Sequence, residues 1–281
     1  MALDRLAIVG VGLIGGSVAL AARRAGVTSH IVGIDCLANA PDVADVAGAR
    51  VVDAWVDIDD DARVEEALSE SDLTVLAMPV GVIASFLPRA LAAGSVVTDC
   101  GSTKRALVER AGSLEGRERF IAGHPMAGRP QGGLANASAD LFAGRRWLLC
   151  PEGAAPHVVS RVQAWVRALG AEPVLLAADA HDHAVALTSH VPQLVASALA
   201  TLGAEQGASV AAGPAFASMT RVAGGAAAMW KDIFESNADA VSAELRRLGA
   251  ELDRVASGLE QGRPDEALEL LARARRALGR D

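Results

Sequence analysis

A glycine-rich turn near the amino terminus limits the folds that this chain can adopt. The segment GVGLIG at residues 10–15 follows a run of strand-forming residues and opens a helical pattern. Glycines at this spacing permit a tight turn, a close approach of the backbone to a pyrophosphate, and close packing of helix on strand. The phosphates would lie at the helix amino terminus, where N–H groups and the helix dipole favour anions. We expect a dinucleotide to contact Gly10, Gly12, Leu13, Ile14 and Gly15, although a glycine-rich turn that binds nothing is the alternative.

Two later positions add to this predicted cofactor site. Asp35 ends the next predicted strand, where a carboxylate would accept from a ribose hydroxyl and repel a 2′-phosphate, which favours NAD over NADP. Asp35 has an alternative interpretation as an ordinary turn residue. Met78 and Pro79 follow another strand, and ligands of open α/β sheets lie over the carboxyl ends of strands. We therefore expect both to line the cofactor cleft, with a proline-started helix as the alternative.

Short β-branched runs alternate with helical patterns over the first two thirds of the chain. This alternation predicts a Rossmann-like, doubly wound parallel sheet with helices on its faces. The predicted strands are Leu6–Gly10, Ile31–Ile34, Leu73–Ala77, Val96–Asp99, Phe120–Gly123, Trp147–Cys150 and Pro173–Leu175. The predicted helices include Ile14–Ala25, Val80–Ala92 and Pro156–Leu169.

The pattern becomes all-helical from about Asp179, which we expect to cap a long helix over residues 180–206. Apolar residues recur at three- and four-residue spacing over Leu245–Leu259, and the helix over Val185–Leu202 is also apolar. These faces exceed what a small helical domain must bury by itself. We predict an NAD-binding domain over residues 1–178 and a helical substrate-binding domain over residues 179–281 that forms a homodimer.

Composition narrows the partners. The 281 residues carry a formal net charge of -8, which argues against nucleic acid or an anionic membrane as a partner. Three widely spaced cysteines indicate neither a disulfide framework nor a zinc site, and we expect no metal. We also expect no signal peptide and no membrane span, and hence a cytoplasmic protein.

His124 is the leading candidate for proton transfer. It lies in GHPMAG at residues 123–128, at the end of a predicted strand whose carboxyl end faces the cofactor cleft. Histidine titrates near neutrality and suits general acid–base chemistry. A structural histidine is the alternative.

Ser102 lies in DCGSTK at residues 99–104, which ends the neighbouring strand. Its hydroxyl can bond to a substrate or a nicotinamide, or it can cap the helix that begins near Lys104. The sequence does not decide between these roles. We expect Lys104 itself to be solvated or structural.

Two residues of the helical half are candidates for substrate binding. His190 lies in an apolar helix two residues before Pro192, a combination found at ligand cavities, although it can also be a satisfied core histidine. Arg221 is the only lysine or arginine between Arg167 and Lys231, and we expect it to be partly buried. Its guanidinium suits a bidentate carboxylate. His181 and His183 do not share a helical face, which argues against a metal site there.

Beyond these single positions, the chain resembles the prephenate/arogenate (cyclohexadienyl) dehydrogenases, the TyrA family of tyrosine biosynthesis. The resemblance covers nearly the whole chain. It is carried by GVGLIGGS (Gly10–Ser17), VVTDCGSTK (Val96–Lys104), AGHPMAG (Ala122–Gly128), LFAGRRWLLCP (Leu141–Pro151), HDHAVALTSHVPQLVASAL (His181–Leu199) and GPAFASMTRVAGGAAAMWKDIFESN (Gly213–Asn237).

The resemblance implies a Rossmann domain, a helical domain that dimerises, and roles for five residues. By it, His124 matches the catalytic base and Ser102 the serine that bonds the substrate hydroxyl. His190 and Arg221 match the substrate-binding histidine and arginine, and Trp230 matches an aromatic residue of the pocket. The implied substrate is prephenate or arogenate.

Two departures from the family pattern concern substrate preference and domain content. Many prephenate-type members carry an acidic residue where this chain has Pro130. We also expect neither the regulatory domain nor the chorismate mutase domain that some relatives carry. Three alternatives remain: the substrate is an amino-substituted prephenate, the substrate is another β-hydroxy acid, or the protein binds NAD without catalysis. An enzyme that acts on a β-hydroxy acid would need a lysine in the helical half, and Lys231 is the only lysine there.

Overall fold

A computed structural model describes residues 3–39, 45–46, 49–225 and 227–280. The chain divides into two compact units. The first consists of Met1–Val185 and Gly224–Ser236, and the second of Ala186–Ala223 and Asn237–Asp281. The predicted boundary at Ala178 lies seven residues before the first of these divisions, at Val185, and the return of the chain to the first unit at Gly224 was not predicted.

The first unit is built on one eight-stranded sheet, to which a separate two-stranded ribbon is added. The strands in chain order are β1 (Leu3–Val9), β2 (Thr28–Asp35), β3 (Asp45–Val46), β4 (Ala49–Arg50), β5 (Ala54–Asp57), β6 (Leu73–Leu76), β7 (Val96–Asp99), β8 (Phe120–Pro125), β9 (Arg146–Cys150) and β10 (Glu172–Leu175). The ribbon pairs β3 with β4. All seven predicted strands are present. The strands β3, β4 and β5 were not predicted, because runs of two to four residues are too short to show a clear periodicity.

The order across the sheet is β10-β9-β8-β7-β6-β1-β2-β5. All neighbouring pairs are parallel except β8 and β9, which are antiparallel with His124 opposite Leu148. The prediction of a parallel, doubly wound sheet is confirmed, with this one reversal. Because β6, β7, β8 and β1 run the same way, their carboxyl ends meet at one edge, where the candidate site residues lie.

Helices cover both faces of the sheet, so the central strands are buried on both sides. In β1, Leu6 and Ile8 belong to one buried cluster and Ala7 and Val9 to the other, as the alternation of side chains along a strand requires. The helices of this unit are α1 (Leu13–Ala25), α2 (Asp61–Ser69), α3 (Val80–Ala92), α4 (Arg105–Gly112), α5 (Pro156–Ala168), α6 (Ala178–Val185) and, after the return of the chain, α9 (Ala227–Ser236).

The second unit is helical throughout its described residues. A π-helical turn over Ala186–His190 continues into α7, and Pro192, which has no N–H to donate, lies just after this turn. The helices are α7 (Val191–Glu205), α8 (Pro214–Thr220), α10 (Ala238–Glu260) and α11 (Asp265–Ala277). The predicted stripe of α10 is only partly covered: Leu252 and Leu259 are more than half exposed.

The predicted cap of the long helix was wrong. The amide of His181 bonds to the carbonyl of Ala177, so the helix begins one residue before Asp179 and that residue lies in its first turn. A carboxylate of Glu152 accepts the Ala178 amide in place of a local cap. Asp179 remains favourable there, because the helix dipole stabilises a negative charge in the first turn.

One helix passes a test of length and composition for a membrane span. It is the 28-residue helix Ala178–Glu205, in which an 18-residue window has a mean hydropathy of 1.3. A core helix of a soluble protein has the same property, and this stretch holds the buried polar residues His181, Asp182 and His190. Polar groups of this kind are costly in hydrocarbon, so one such helix is weak evidence for a membrane protein.

Candidate functional site

The glycine turn between β1 and α1 has the geometry that a dinucleotide requires. Gly10 has a φ of +89°, and a Cβ there would lie 2.5 Å from the Ala77 carbonyl oxygen. A Cβ on Gly15 would lie 2.0 Å from the Gly10 carbonyl oxygen. Gly12 has open space around it and precedes α1 without a side-chain cap. The first amides of α1 are thus offered to an anion from outside the helix.

Asp35 holds the turn in place. One carboxylate oxygen accepts the Val11 amide at 2.7 Å, and the other accepts the Cys36 amide at 2.7 Å. The side chain of Asn39 donates to the same second oxygen at 3.0 Å. The side chain therefore fixes the conformation of the turn whether or not a ribose is present.

A cavity of about 490 Å³ lies over the carboxyl ends of the central strands, a size usual for small-molecule sites. Five of the predicted cofactor-binding residues line it, together with Ser102. Its lining is Gly12, Leu13, Ile14, Ala77, Met78, Pro79, Val80, Cys100, Gly101, Ser102, Gly132, Gly133, Met229, Asp232 and Ile233. The last three belong to α9, a wall that the sequence analysis missed because no local pattern ties α9 to this sheet.

Asp232 fastens α9 to the amino terminus of α3. Its carboxylate accepts the Val80 amide at 2.6 Å and the Gly81 amide at 3.1 Å. Thr103 donates to the Ser236 hydroxyl at 2.8 Å. This bond also joins α9 to the loop after β7. One wall of the cavity is thus held by side chains that are far apart in sequence.

The loop that carries Ser102 is joined to the strand that carries His124. The buried carboxylate of Asp99 accepts the amides of Gly101 at 2.7 Å and Gly123 at 2.9 Å. Lys104, fully buried, forms an ion pair with Asp99 and donates to the Gly123 carbonyl at 2.7 Å. Of the two predicted roles of Lys104, the structural one is therefore confirmed and the solvated one is excluded.

Ser102 does not cap α4. The cap comes from α6, because the Asp182 carboxylate accepts the amides of Lys104 at 2.8 Å and Arg105 at 2.9 Å. Ser102 instead lies in the lining of the cavity. Of its two predicted roles, this position favours hydrogen bonding to a bound ligand.

His124 is the first member of a chain of three side chains. Its Nδ1 lies 2.9 Å from Nε2 of His181, whose Nδ1 lies 2.7 Å from a carboxylate oxygen of Asp182. His181 and Asp182 are fully buried. The pair of histidines brings β8 and α6 together across 57 residues of sequence, which is why the sequence analysis considered His181 only for metal binding.

Hydrogen bonding keeps Asp182 ionised. Burial alone would raise the pKa of this carboxyl, but the bonds from His181 and from the amides of Arg105 and Lys104 outweigh burial and hold the pKa below its ordinary value. The nearby thiol of Cys150 behaves oppositely, since burial raises its pKa to about 12. Cys150 is accordingly not a nucleophile at neutral pH.

The predicted substrate-binding residues of the second unit differ in burial. His190 is buried, and its Nδ1 lies 3.5 Å from the side-chain nitrogen of Asn237. Arg221 follows α8 and is exposed, so the expectation of a partly buried arginine was wrong; its apolar neighbours Met219 and Val222 are themselves exposed. An exposed guanidinium can still reach a carboxylate ligand.

Trp230 lies on α9 in the first unit. Its ring stacks on Phe234 at a centroid distance of 5.4 Å, and it is absent from the described lining of the cavity. Its predicted contact with a substrate stays a prediction. Within residues 3–39, 45–46, 49–225 and 227–280, no three His, Cys, Asp or Glu side chains stand together so as to hold a metal ion.

A dinucleotide turn, a cavity over the strand ends, and a histidine linked through a second histidine to a buried carboxylate are the features of a dinucleotide-dependent dehydrogenase. Two family models divide nearly the whole chain between them: the prephenate dehydrogenase nucleotide-binding domain matches residues 18–175, and the prephenate dehydrogenase dimerization domain matches residues 177–273. The chain therefore belongs to the prephenate dehydrogenase family.

Individual relatives agree with this assignment. The chain is 30% identical over 270 residues to prephenate dehydrogenase of Bacillus subtilis, covering 92% of this chain and 71% of that protein. It is 28% identical over 283 residues to cyclohexadienyl dehydrogenase of Zymomonas mobilis, covering 97% and 94%. The crystal structure of prephenate dehydrogenase from A. aeolicus in complex with hydroxyphenyl propionate and NAD+ superposes with a TM-score of 0.85 at 24% identity, over 100% of this chain and 99% of that one. The last comparison concerns the fold alone.

Proposed function

We propose that this enzyme catalyses the NAD-dependent oxidative decarboxylation of prephenate or arogenate in tyrosine biosynthesis. The observation that carries the proposal is the buried Asp99–Lys104 pair, which joins the Ser102 loop on the cofactor cavity to the strand that bears His124. A hydroxyl donor and a base are thereby held at the edge of the sheet that also carries the dinucleotide turn.

The residues fit a nicotinamide dinucleotide. The positive φ of Gly10 and the crowding at Gly15 show a turn that only glycine satisfies, and the amides at the start of α1 are available for a pyrophosphate. Asp35 would meet the ribose, and its charge disfavours a 2′-phosphate, so NAD is the proposed cofactor. When bound, this cofactor accepts a hydride.

His124 acts as the general base. It takes the proton of the C4 hydroxyl of the substrate while hydride leaves C4, and C4 becomes a carbonyl carbon. The bond between C1 and its carboxylate then breaks, its electron pair enters the ring, CO₂ departs, and the proton held by His124 returns to the oxygen on C4. Aromatisation drives the reaction, so positioning is the main contribution of the protein.

Ser102 orients the C4 hydroxyl, and His190 and Arg221 bind the remainder of the substrate. The protein is acidic overall, so long-range attraction does not concentrate an anionic substrate and local cations must hold it. Arg221 supplies a bidentate partner for one substrate carboxylate. Trp230 contributes an apolar surface for the ring.

Another β-hydroxy acid is a poorer candidate for the substrate. Such enzymes resemble this chain only in the glycine turn and rely on a lysine of the helical domain. Lys231 is 75% exposed and lies 3.6 Å from the neighbouring carboxylate of Glu235 on α9. A non-catalytic NAD-binding protein would have no use for the buried His181–Asp182 pair behind His124.

We further propose a soluble, cytoplasmic homodimer. The second unit belongs to a family of dimerization domains, and α10 and α11 leave several leucines more than half exposed: Leu252, Leu259, Leu268 and Leu271. A second copy is the natural cover for such a face.

The test is an assay of each substrate with NAD, in which the absorbance of the reduced nicotinamide measures turnover. Prephenate, arogenate and 4-amino-4-deoxyprephenate are compared with the wild-type chain and with His124→Asn. We expect turnover of prephenate or arogenate and a loss of about 10²–10⁴-fold in kcat in the variant, with unchanged NAD binding. Turnover of none of these substrates, or near wild-type kcat in His124→Asn, would overturn the proposal.

A further inference from the structure

We propose that His181 and Asp182 form a positioning pair that fixes the tautomer of His124 and shares the proton that His124 receives. The inference rests on the proposed role of His124 as the base. It assigns a role in catalysis to two residues whose burial and local hydrogen bonds would otherwise be explained by packing alone.

The direction of the hydrogen bonds follows from the carboxylate. An ionised carboxylate only accepts, so His181 must present Nδ1–H to Asp182. In neutral His181 the other nitrogen, Nε2, is then an acceptor, and it lies 2.9 Å from Nδ1 of His124. His124 must therefore carry its proton on Nδ1, which leaves the basic lone pair on Nε2. That tautomer is the one a general base needs.

The same chain stabilises His124 after proton uptake. An imidazolium at His124 donates Nδ1–H to His181, and Asp182 offsets the charge through the second ring. Because His181 and Asp182 are fully buried, water screens this interaction little. The two rings therefore hold the added proton jointly.

The charges around the pair oppose or favour proton uptake at His124. Lys104 and Arg105 at the start of α4 oppose it, whereas Asp99 on β7, Glu152 after β9 and Asp179 on α6 favour it. His183 and the Cys150 thiol are the remaining titratable groups nearby. Of these carboxylates, Asp182 alone bonds directly to His181. Its removal should lower the affinity of the two histidines for a proton.

The consequence is a shift in the pH dependence of turnover. In the wild type, kcat should fall on the acid side as His124 takes up a proton and the base is lost. Loss of the Asp182 charge should move this acid limb to lower pH by about one unit or more. A residue that only capped α4 would affect stability and leave the acid limb in place.

The experiment measures pH profiles of kcat for Asp182→Asn, His181→Leu and His181→Gln in the full-length enzyme, with thermal unfolding in parallel. We expect kcat to fall about 10²–10⁴-fold in Asp182→Asn, as for a base in the wrong tautomer, with the acid limb shifted downward. His181→Leu should behave similarly. His181→Gln should recover part of kcat, because an amide oxygen can accept from Nδ1 of His124.

Two exposed neighbours on the same helix provide matched controls. His183→Asn should retain the wild-type profile, because the Nδ1 of His183 bonds within α6. Asp179→Asn should shift the acid limb far less than Asp182→Asn, because Asp179 is exposed and water screens its charge. If Asp182→Asn fails to fold, His181→Leu and His181→Gln decide the question, since neither removes an acceptor from the α4 amides. The inference would be overturned if the acid limb did not move, or if His181→Leu and His181→Gln had equal kcat, while His124→Asn was inactive. If His124→Asn were active, the proposed role of His124 as the base would be overturned instead.

Discussion

Lys104 and Asp99 form a fully buried ion pair that ties the end of β7 to the end of β8. Replacement of Lys104 by Met would leave the Asp99 carboxylate buried without its cation. We expect Lys104→Met to lower the free energy of unfolding by about 3–5 kcal/mol, and Asp99→Asn in the same chain to recover part of this loss. Urea unfolding measures both, with exposed Lys231→Met as the control. A change of under about 1 kcal/mol in Lys104→Met would show that the pair contributes little.

Substitutions of Gly12 and Gly15 by Ala should have different effects on folding and on NAD binding. A Cβ on Gly15 would collide with the Gly10 carbonyl at 2.0 Å, so Gly15→Ala should distort the turn and lower the melting temperature. A Cβ on Gly12 meets nothing within 4 Å, so Gly12→Ala should fold normally. It should lose affinity for NAD, because the added methyl group lies where the backbone approaches the pyrophosphate. Calorimetry and NAD titration separate the two effects. Equal melting temperatures for the two variants would contradict the structural assignment.

Asp35 should determine cofactor preference and also the order of the turn. Asp35→Ser removes a ribose acceptor, a charge that repels a 2′-phosphate, and the partner of the Val11 and Cys36 amides. We expect the ratio of kcat/KM for NAD over NADP to narrow and NAD affinity to fall. Exposed Asp59→Ser is the control. A wild-type preference for NADP would exclude the assignment of Asp35.

Arg221 tests the mode of substrate binding. An exposed arginine that pairs with a substrate carboxylate becomes desolvated only in the complex, and loss of such a partner costs about 2–5 kcal/mol. Arg221→Ala should raise KM for the substrate at least about tenfold, with a smaller change in kcat. Arg221→Lys should rescue only partly, because an ammonium lacks the bidentate fork. Arg247→Ala is the control. If KM is unchanged in a folded Arg221→Ala variant, Arg221 does not bind the substrate carboxylate, and Arg129 is the next residue to test.

The exposed leucines of α10 and α11 should mediate self-association. Sedimentation at micromolar concentration should show a species of about twice the 28.7 kDa chain mass. Leu252→Glu places a charge on this face and should shift the distribution toward the monomer. Sedimentation of the wild type at the mass of a single chain would refute the dimer.

The parts of the fold and site that follow a local pattern were predictable from the sequence. Short apolar runs in the sequence predict where β1, β7 and β8 end. Parallel pairing then brings the glycine turn, Ser102 and His124 to one edge of the sheet. Contacts between distant segments leave no such pattern. The bond from Val80 to Asp232 spans 152 residues, and the bonds from Lys104 and Arg105 to Asp182 span 78 and 77.

Burial was harder to infer from neighbouring residues. The apolar surroundings of Arg221 in sequence suggested an interior position, yet Met219 and Val222 are exposed beside it. Conversely, Lys104 and Asp182 are among the most buried residues because each finds a charged or amide partner from another element. Pairing, which a single sequence does not display, decides whether a charge can be buried.

The position of α9 affects how the protein can be synthesised. On the ribosome, all ten strands and the glycine turn emerge well before residues 227–236 do. Until then, the first amides of α3 lack the Asp232 carboxylate, and the cavity lacks the wall that Met229 and Ile233 provide. The nascent nucleotide unit therefore exposes an unfinished apolar cleft even after the first segment of the second unit, Ala186–Ala223, has been translated. A fragment that stops at residue 178 would keep that unfinished state permanently, whereas a circular permutant that begins at Gly224 would have α9 available from the start.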